Sequence, residues 1–190
     1  YRERGELNLS TRQATIELAP SADIENFLRV IYAWLCLQHD SLLLHAAGVV
    51  KDGDGYVFFG PSGAGKSTTA GLSADVATIL SDDIVIVRKR EETYHLCGVP
   101  FFGELSHFPP QNMSVPLKGI YRLQQDVWSH VEPLTMVLAV AELSASAPFI
   151  VQHSALSSDL LNTCYHLAQH VPVRELYFNR TPEFWKVIEA

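Results

Sequence analysis

The chain is poor in cysteine: Cys36, Cys97 and Cys164 are the only three in 190 residues, and they stand about 60 positions apart. That spacing matches neither a zinc knuckle nor the disulfide framework of a small secreted domain, so all three read as small apolar residues in a reducing compartment. Basic residues are scarce too. Fourteen Lys and Arg stand against 21 Asp and Glu, a formal net charge of −7, and no basic run exceeds Arg88-Lys89-Arg90. A nucleic-acid binder carries the opposite electrostatic footprint, so no nucleic-acid partner is expected. No apolar run is long enough for a membrane-spanning helix, and the opening Tyr1-Arg2-Glu3-Arg4-Gly5-Glu6 lacks the shape of a signal peptide. The expectation is a cytoplasmic protein with no membrane partner. Hydrophobic residues, by contrast, make up 47% of the chain and charged ones 18%. That balance suits one domain over residues 1–190 with a substantial core.

Periodicity divides the chain into alternating elements. Ile24, Phe27, Leu28, Ile31 and Leu35 share one helical face, so an amphipathic helix is expected over about 21–39, with Ser21 or Asp23 suited to its cap. Residues 41–50 and 56–59 are apolar runs joined by Lys51-Asp52-Gly53-Asp54-Gly55, the pattern of an antiparallel strand pair. Further strands are expected at 77–80, 84–88, 93–99 and 119–123. Between the last two, residues 100–116 hold Pro100, Pro109, Pro110 and Pro116 and read as a long loop suited to a lid or a substrate contact. Downstream, a helix is expected to open on Pro133, a second to carry Leu156, Leu160, Cys164 and Leu167, and a strand to occupy 173–178. Thr181-Pro182-Glu183 caps a terminal helix. The fold class is therefore α/β with a mixed β-sheet and flanking helices, a nucleotide core over about 40–125 and a C-terminal α/β part over about 126–190.

The sharpest signal is Gly60-Pro61-Ser62-Gly63-Ala64-Gly65-Lys66-Ser67, which fills every fixed position of the pattern G-x-x-x-x-G-K-[ST] directly after the run Tyr56-Val57-Phe58-Phe59. Successive backbone N–H groups must curl around polyphosphate oxygens, and glycine at the bends lets the chain approach them. Lys66 supplies a mobile charge for the β and γ oxygens, the Ser67 hydroxyl is the expected Mg²⁺ ligand, and Thr68 completes the nucleotide contact. Asp82 and Asp83 follow Lys66 by 16 and 17 positions, room for one short helix and a return strand that brings both carboxylates to the same sheet edge. One acid is suited to Mg²⁺ and the other to accepting a proton from an acceptor hydroxyl; the spacing does not say which does which. His45 interrupts Leu42-Leu43-Leu44, and by itself reads as a core histidine.

Taken together, Leu43-Leu44-His45-Ala46-Ala47-Gly48-Val49-Val50, the turn Gly60–Ser67 and Leu80-Ser81-Asp82-Asp83-Ile84-Val85 resemble the catalytic domain of HPr kinase/phosphorylase, a family related to the ATP-type phosphoenolpyruvate carboxykinases. Gly98-Val99-Pro100-Phe101-Phe102-Gly103 and the tail look more like the small HPr-kinase-related proteins of peptide-modification gene clusters. Thr68 stands where the longer family usually has Glu. The resemblance implies ATP as phosphoryl donor, Mg²⁺ near Ser67, Asp82 as proton acceptor with His45 beside the acids, and a Ser or Thr hydroxyl of a peptide or protein as acceptor. It leaves an oligomer open. The turn reads phosphates and little of the base, so ADP and pyrophosphate stand beside ATP as donors. Two other readings of the same residues are a non-catalytic nucleotide-binding module and a hydrolytic P-loop NTPase; the latter lacks a Glu or Gln beside the acidic pair to position water.

Overall fold

The computed structural model describes residues 3–8, 10–11, 13–20, 24–101, 103–150 and 154–190. An antiparallel hairpin comes first, β1 (Glu3–Asn8) with β2 (Gln13–Leu18), which the periodicity did not reveal because nearly every described side chain in it faces solvent. α1 (Ile24–Leu37) follows at the expected place; its expected caps, Ser21 and Asp23, lie outside the described residues. β3 (Leu42–Lys51) and β4 (Asp54–Phe59) pair antiparallel, the chain reversing at Asp52 and Gly53 with φ of 53° and 86°. Then come α2 (Lys66–Leu72), β5 (Thr78–Ser81), β6 (Ile84–Arg90) and β7 (Thr93–Cys97). The C-terminal part consists of β8 (Ser114–Gln125), β9 (His130–Pro133), α3 (Met136–Ala145), α4 (Ser157–His170), β10 (Val173–Phe178) and α5 (Phe184–Ile188).

Two prolines sit elsewhere than expected. Pro133 ends β9 opposite Arg174 instead of opening a helix, and α3 starts at Met136 with the Thr135 hydroxyl accepting the Leu138 N–H at 3.4 Å. β9 is an edge strand, where a missing N–H costs no ladder bond, and threonine is the better cap. Pro116 lies within β8, paired with His95, so the connecting loop is shorter than expected and spans residues 98–113.

The long strands β3 and β8 each serve two sheets. Leu42–His45 pairs with β6, while Ala46–Lys51 pairs with β4 on one side and its middle with β5 on the other. β8 begins against β7, continues parallel to β4 and ends parallel to β10. The order β4-β3-β6-β7-β8 thus returns to β4 and closes a ring of five strands. Strand alternation sends Phe59 into one apolar cluster with α1, α3 and α4, and Phe58 into a second with α2 and α5. Burial on both faces explains why Tyr56–Phe59 is an unbroken apolar run.

β8 and β10 run parallel to β4, and β5 runs antiparallel to β3, as β4 does. The carboxyl ends of all four strands therefore lie at one edge of the sheet. That edge carries Gln125 as the last residue of β8, and Gly60, Asp82 and Asn179 as the first residues beyond β4, β5 and β10.

The three cysteines are free thiols; Cys164 is buried and Cys36 half-buried. Burial pushes the Cys164 thiol up to about 11 and the Cys36 thiol up to about 12. Iodoacetamide at about pH 8 should therefore leave both unmodified in the native protein and alkylate both in urea, as read by intact mass.

Candidate active site

The chain leaves β4 through a turn closed by the Ala64 N–H on the Pro61 carbonyl, 3.1 Å. Gly65 carries φ of 111°, and a Cβ there would lie 2.7 Å from the Phe178 ring, so only glycine lets the turn settle against β10. Gly63 has φ of 79° with open space above it. Lys66 opens α2 and is only 8% exposed; its ammonium folds back on the carbonyls of Gly60 (3.1 Å) and Pro61 (3.3 Å). Burial lowers its pKa, and the charge of Asp83 opposes that shift.

Ser81, fully buried at the end of β5, shapes the acidic corner. Its hydroxyl donates to the Phe101 carbonyl at 2.7 Å and accepts the N–H groups of Asp83 and Ile84, each at 3.2 Å. The strand breaks there, and both aspartates line one cavity, which regular strand alternation would have prevented. Their surroundings differ. Asp82 is 2% exposed, and its carboxylate accepts three successive backbone N–H groups, from Gly103 (2.9 Å), Glu104 (3.0 Å) and Leu105 (3.3 Å). Asp83, its side chain 21% exposed, faces the Arg29 guanidinium at 2.8 Å and His45 Nε2 at 3.4 Å.

His45 enters the same corner because β3 pairs it with Ile84 and the Ala46 N–H donates to the Asp83 carbonyl. Burial lowers its pKa, the cations Lys66 and Arg29 lower it further, and Asp83 opposes them. The imidazole is accordingly neutral at pH 7, able to give or take a hydrogen bond beside Asp83.

A cavity of about 370 Å³ joins these groups: His45, most of the turn from Ser62 to Thr68, both aspartates, Gly103, Glu104 and Arg180 line it. Gly60 and Pro61 do not line it and act through their carbonyls on Lys66. A larger cavity of about 430 Å³, lined by Asp54, Tyr56, Lys118, Tyr121 and Arg174 among others, contains none of the candidate site residues. The smaller one holds the candidate catalytic residues.

The structure adds four groups that the sequence did not mark. Arg29, on α1, pairs with Glu25 as well as Asp83 and lies over the Phe101 ring, 5.3 Å from its centroid. The i, i+4 spacing of Glu25 and Arg29 was legible, but not its destination. Burial alone would lower the Arg29 pKa; the hydrogen bonds and charges of Glu25 and Asp83 outweigh it and raise it. Glu104 comes in from the 98–113 loop, and Arg180 from the turn after β10. Gln125, at the end of β8, donates to the Gly63 carbonyl at 2.8 Å. Gln125 closes one strand and Arg180 stands two residues beyond another, at the carboxyl edge where ligands of α/β sheets bind. Phe102 lies outside the described residues.

Fold and site together define a mixed α/β protein whose glycine-rich strand–turn–helix unit shares one cavity with a lysine, a histidine and two adjacent aspartates. The chain belongs to the ScmC family of SynChlorMet cassette proteins, whose model matches residues 14–190. No curated protein matches it. Among solved structures it is similar to the Hpr(Ser) kinase/phosphatase from Coxiella burnetii, with 10% identity, a TM-score of 0.42, and coverage of 77% of this chain and 93% of that one. No helix among the described residues is long and apolar enough to cross a membrane.

Proposed function

We propose that the protein is an ATP-dependent kinase that phosphorylates a Ser or Thr hydroxyl of a peptide or protein. The observation that carries this reading is the shared cavity: most of the turn from Ser62 to Thr68 with Lys66, His45 and the aspartates, drawn from three separate stretches of sequence, face one space of about 370 Å³. The donor set suits Mg²⁺. A hard cation of that size takes one or two carboxylates and keeps water and phosphate oxygens, and the Ser67 hydroxyl with a second carboxylate of the cavity offers such a partial set and leaves Asp83 free for a proton. Mg²⁺, when bound, spreads the charge of the β and γ oxygens.

The residues of the chain then divide the work. Lys66 releases its carbonyl partners for the phosphate oxygens and offsets charge developing there. Asp83, the more exposed acid, takes the proton of the acceptor hydroxyl as its oxygen bonds to the γ-phosphorus and the bridging P–O bond to ADP breaks. His45 and Arg29 hold that carboxylate in place. Asp82, which the family resemblance marked for the proton, has its oxygens engaged by the 103–105 turn and instead fixes the loop that walls the cavity. Purified protein with γ-labelled Mg-ATP should transfer label to a Ser/Thr peptide library or to other polypeptides of its cassette. A level no higher than that of Lys66→Ala removes the kinase reading.

A second reading, nucleotide hydrolysis, gains one observation. Glu104 lines the cavity although it stands 22 positions from Asp82, where the sequence showed no water-positioning residue near the acids. Phosphate released without acceptor, and lost in Glu104→Gln, selects hydrolysis over transfer.

A further inference from the structure

The geometry points to Arg180 as a second phosphate-binding cation, which grips the polyphosphate of the bound nucleotide together with Lys66. This assignment rests on the nucleotide reading above and adds to it the group that completes the anion site. Arg180 follows β10, whose carboxyl end lies at the same sheet edge as the phosphate turn. Its φ is 59°, in the left-handed region that side chains other than glycine, asparagine and aspartate rarely adopt. Such a conformation persists where its surroundings fix it, and here it directs the side chain into the cavity that Lys66, Ser67 and the acids share.

One guanidinium N–H donates to the Gln125 Oε1 at 3.1 Å, and the Gln125 amide donates to the Gly63 carbonyl at 2.8 Å. The arginine is thus aimed by the phosphate turn itself, through one intermediary. A guanidinium has five donors, so most of the fork stays available to a ligand. Among the described residues no carboxylate pairs with Arg180, whereas Arg29, the other arginine of the corner, is bound to Asp83 and Glu25. The charge of the cavity calls for such a group. Asp82, Asp83 and Glu104 line it, Arg29 is taken up by Asp83, and apart from Arg180 the one Lys or Arg that lines the cavity to meet a polyphosphate is Lys66. An arginine fork meets phosphate oxygens in pairs, as lysine cannot.

The test is a set of dissociation constants for ATP and inorganic triphosphate, each with Mg²⁺, on wild type, Lys66→Ala, Arg180→Gly, Arg180→Asn, Arg180→Lys and Gln125→Ala. Glycine and asparagine tolerate the left-handed backbone, so both neutral variants should melt close to wild type. Each should weaken ATP and inorganic triphosphate alike by about tenfold or more, the worth of a charge-assisted contact. Arg180→Lys should recover part of the loss, and Gln125→Ala should cost less than about threefold, the aim of the fork being only loosened.

Weakening of ATP with inorganic triphosphate unchanged would place Arg180 on the base or ribose and overturn the assignment. Equal losses in Gln125→Ala and the Arg180 variants, without rescue by lysine, would make it a brace for the turn and overturn it too. Unfolding of both neutral variants while the lysine variant folds would do the same. Wild-type binding that Lys66→Ala abolishes and the Arg180 variants leave intact overturns this assignment alone. A wild-type protein that binds neither probe overturns the nucleotide reading along with it.

Discussion

Asp83→Asn is expected to lower phosphoryl transfer by about a thousandfold while ATP affinity stays within about threefold, because the change removes a proton acceptor and leaves the phosphate turn intact. The asparagine keeps the size of the side chain and one oxygen, which the Arg29 guanidinium, now at 2.8 Å from an Asp83 oxygen, can still use. What disappears is the negative charge and the basic lone pair facing His45. Lys66, which feels the Asp83 charge, loses its opposition to burial and its pKa moves further down. Single-turnover transfer and equilibrium binding on the same preparation separate the two effects. A variant that transfers at the wild-type rate removes Asp83 from the proton path. One that loses ATP binding as completely as transfer makes it a ligand of Mg²⁺ or a support of the turn.

Much of this corner is legible in the sequence, for physical reasons that differ residue by residue. The turn Gly60–Ser67 is local: its glycines, lysine and serine lie within eight positions, so the pattern can be read without knowing the fold. The aspartates were placed at the same edge by counting residues through one helix and one strand, and β5 with α2 occupy that interval. What the count missed was the break at Ser81, since a buried serine that bonds a distant carbonyl, Phe101, leaves no periodic trace.

Arg29, Glu104 and Arg180 were illegible for a related reason. Each reaches the site through tertiary packing: Arg29 across the α1 contact with β3, Glu104 through the amides that bind Asp82, Arg180 through the parallel pairing of β10 with β8. Pro133 misleads because its preference for a helix start is real but weaker than the freedom of an edge strand, and the helix opens three residues later behind Thr135, which caps it. The barrel-like closure was equally hidden. Nothing in the alternation of β8 says that its first residues serve β7 and its later ones β4 and β10.

Asp82→Asn should act on the fold before it acts on chemistry. Three N–H groups converge on the Asp82 carboxylate, two of them on one oxygen, in a site with 2% exposure. An amide presents one oxygen and one NH₂, so whichever way it turns, at least one N–H of the 103–105 turn meets a donor instead of an acceptor. Leaving a buried donor unpaired, together with the loss of charge assistance on those that remain, costs about 2–4 kcal/mol. For a chain of this size that lowers Tm by roughly 4–16 °C, measured by thermal unfolding. The loss should also be local: hydrogen exchange at Gly103, Glu104 and Leu105 should rise far more than in β4 or β8, because those amides owe their protection to this one carboxylate. Bound Mg-ATP should recover part of the lost Tm by mass action if the cavity survives loosening of its wall. An Asp82→Asn protein as stable as wild type, with an unperturbed 103–105 turn and no transfer, would exchange the roles of the two aspartates and return the proton to Asp82.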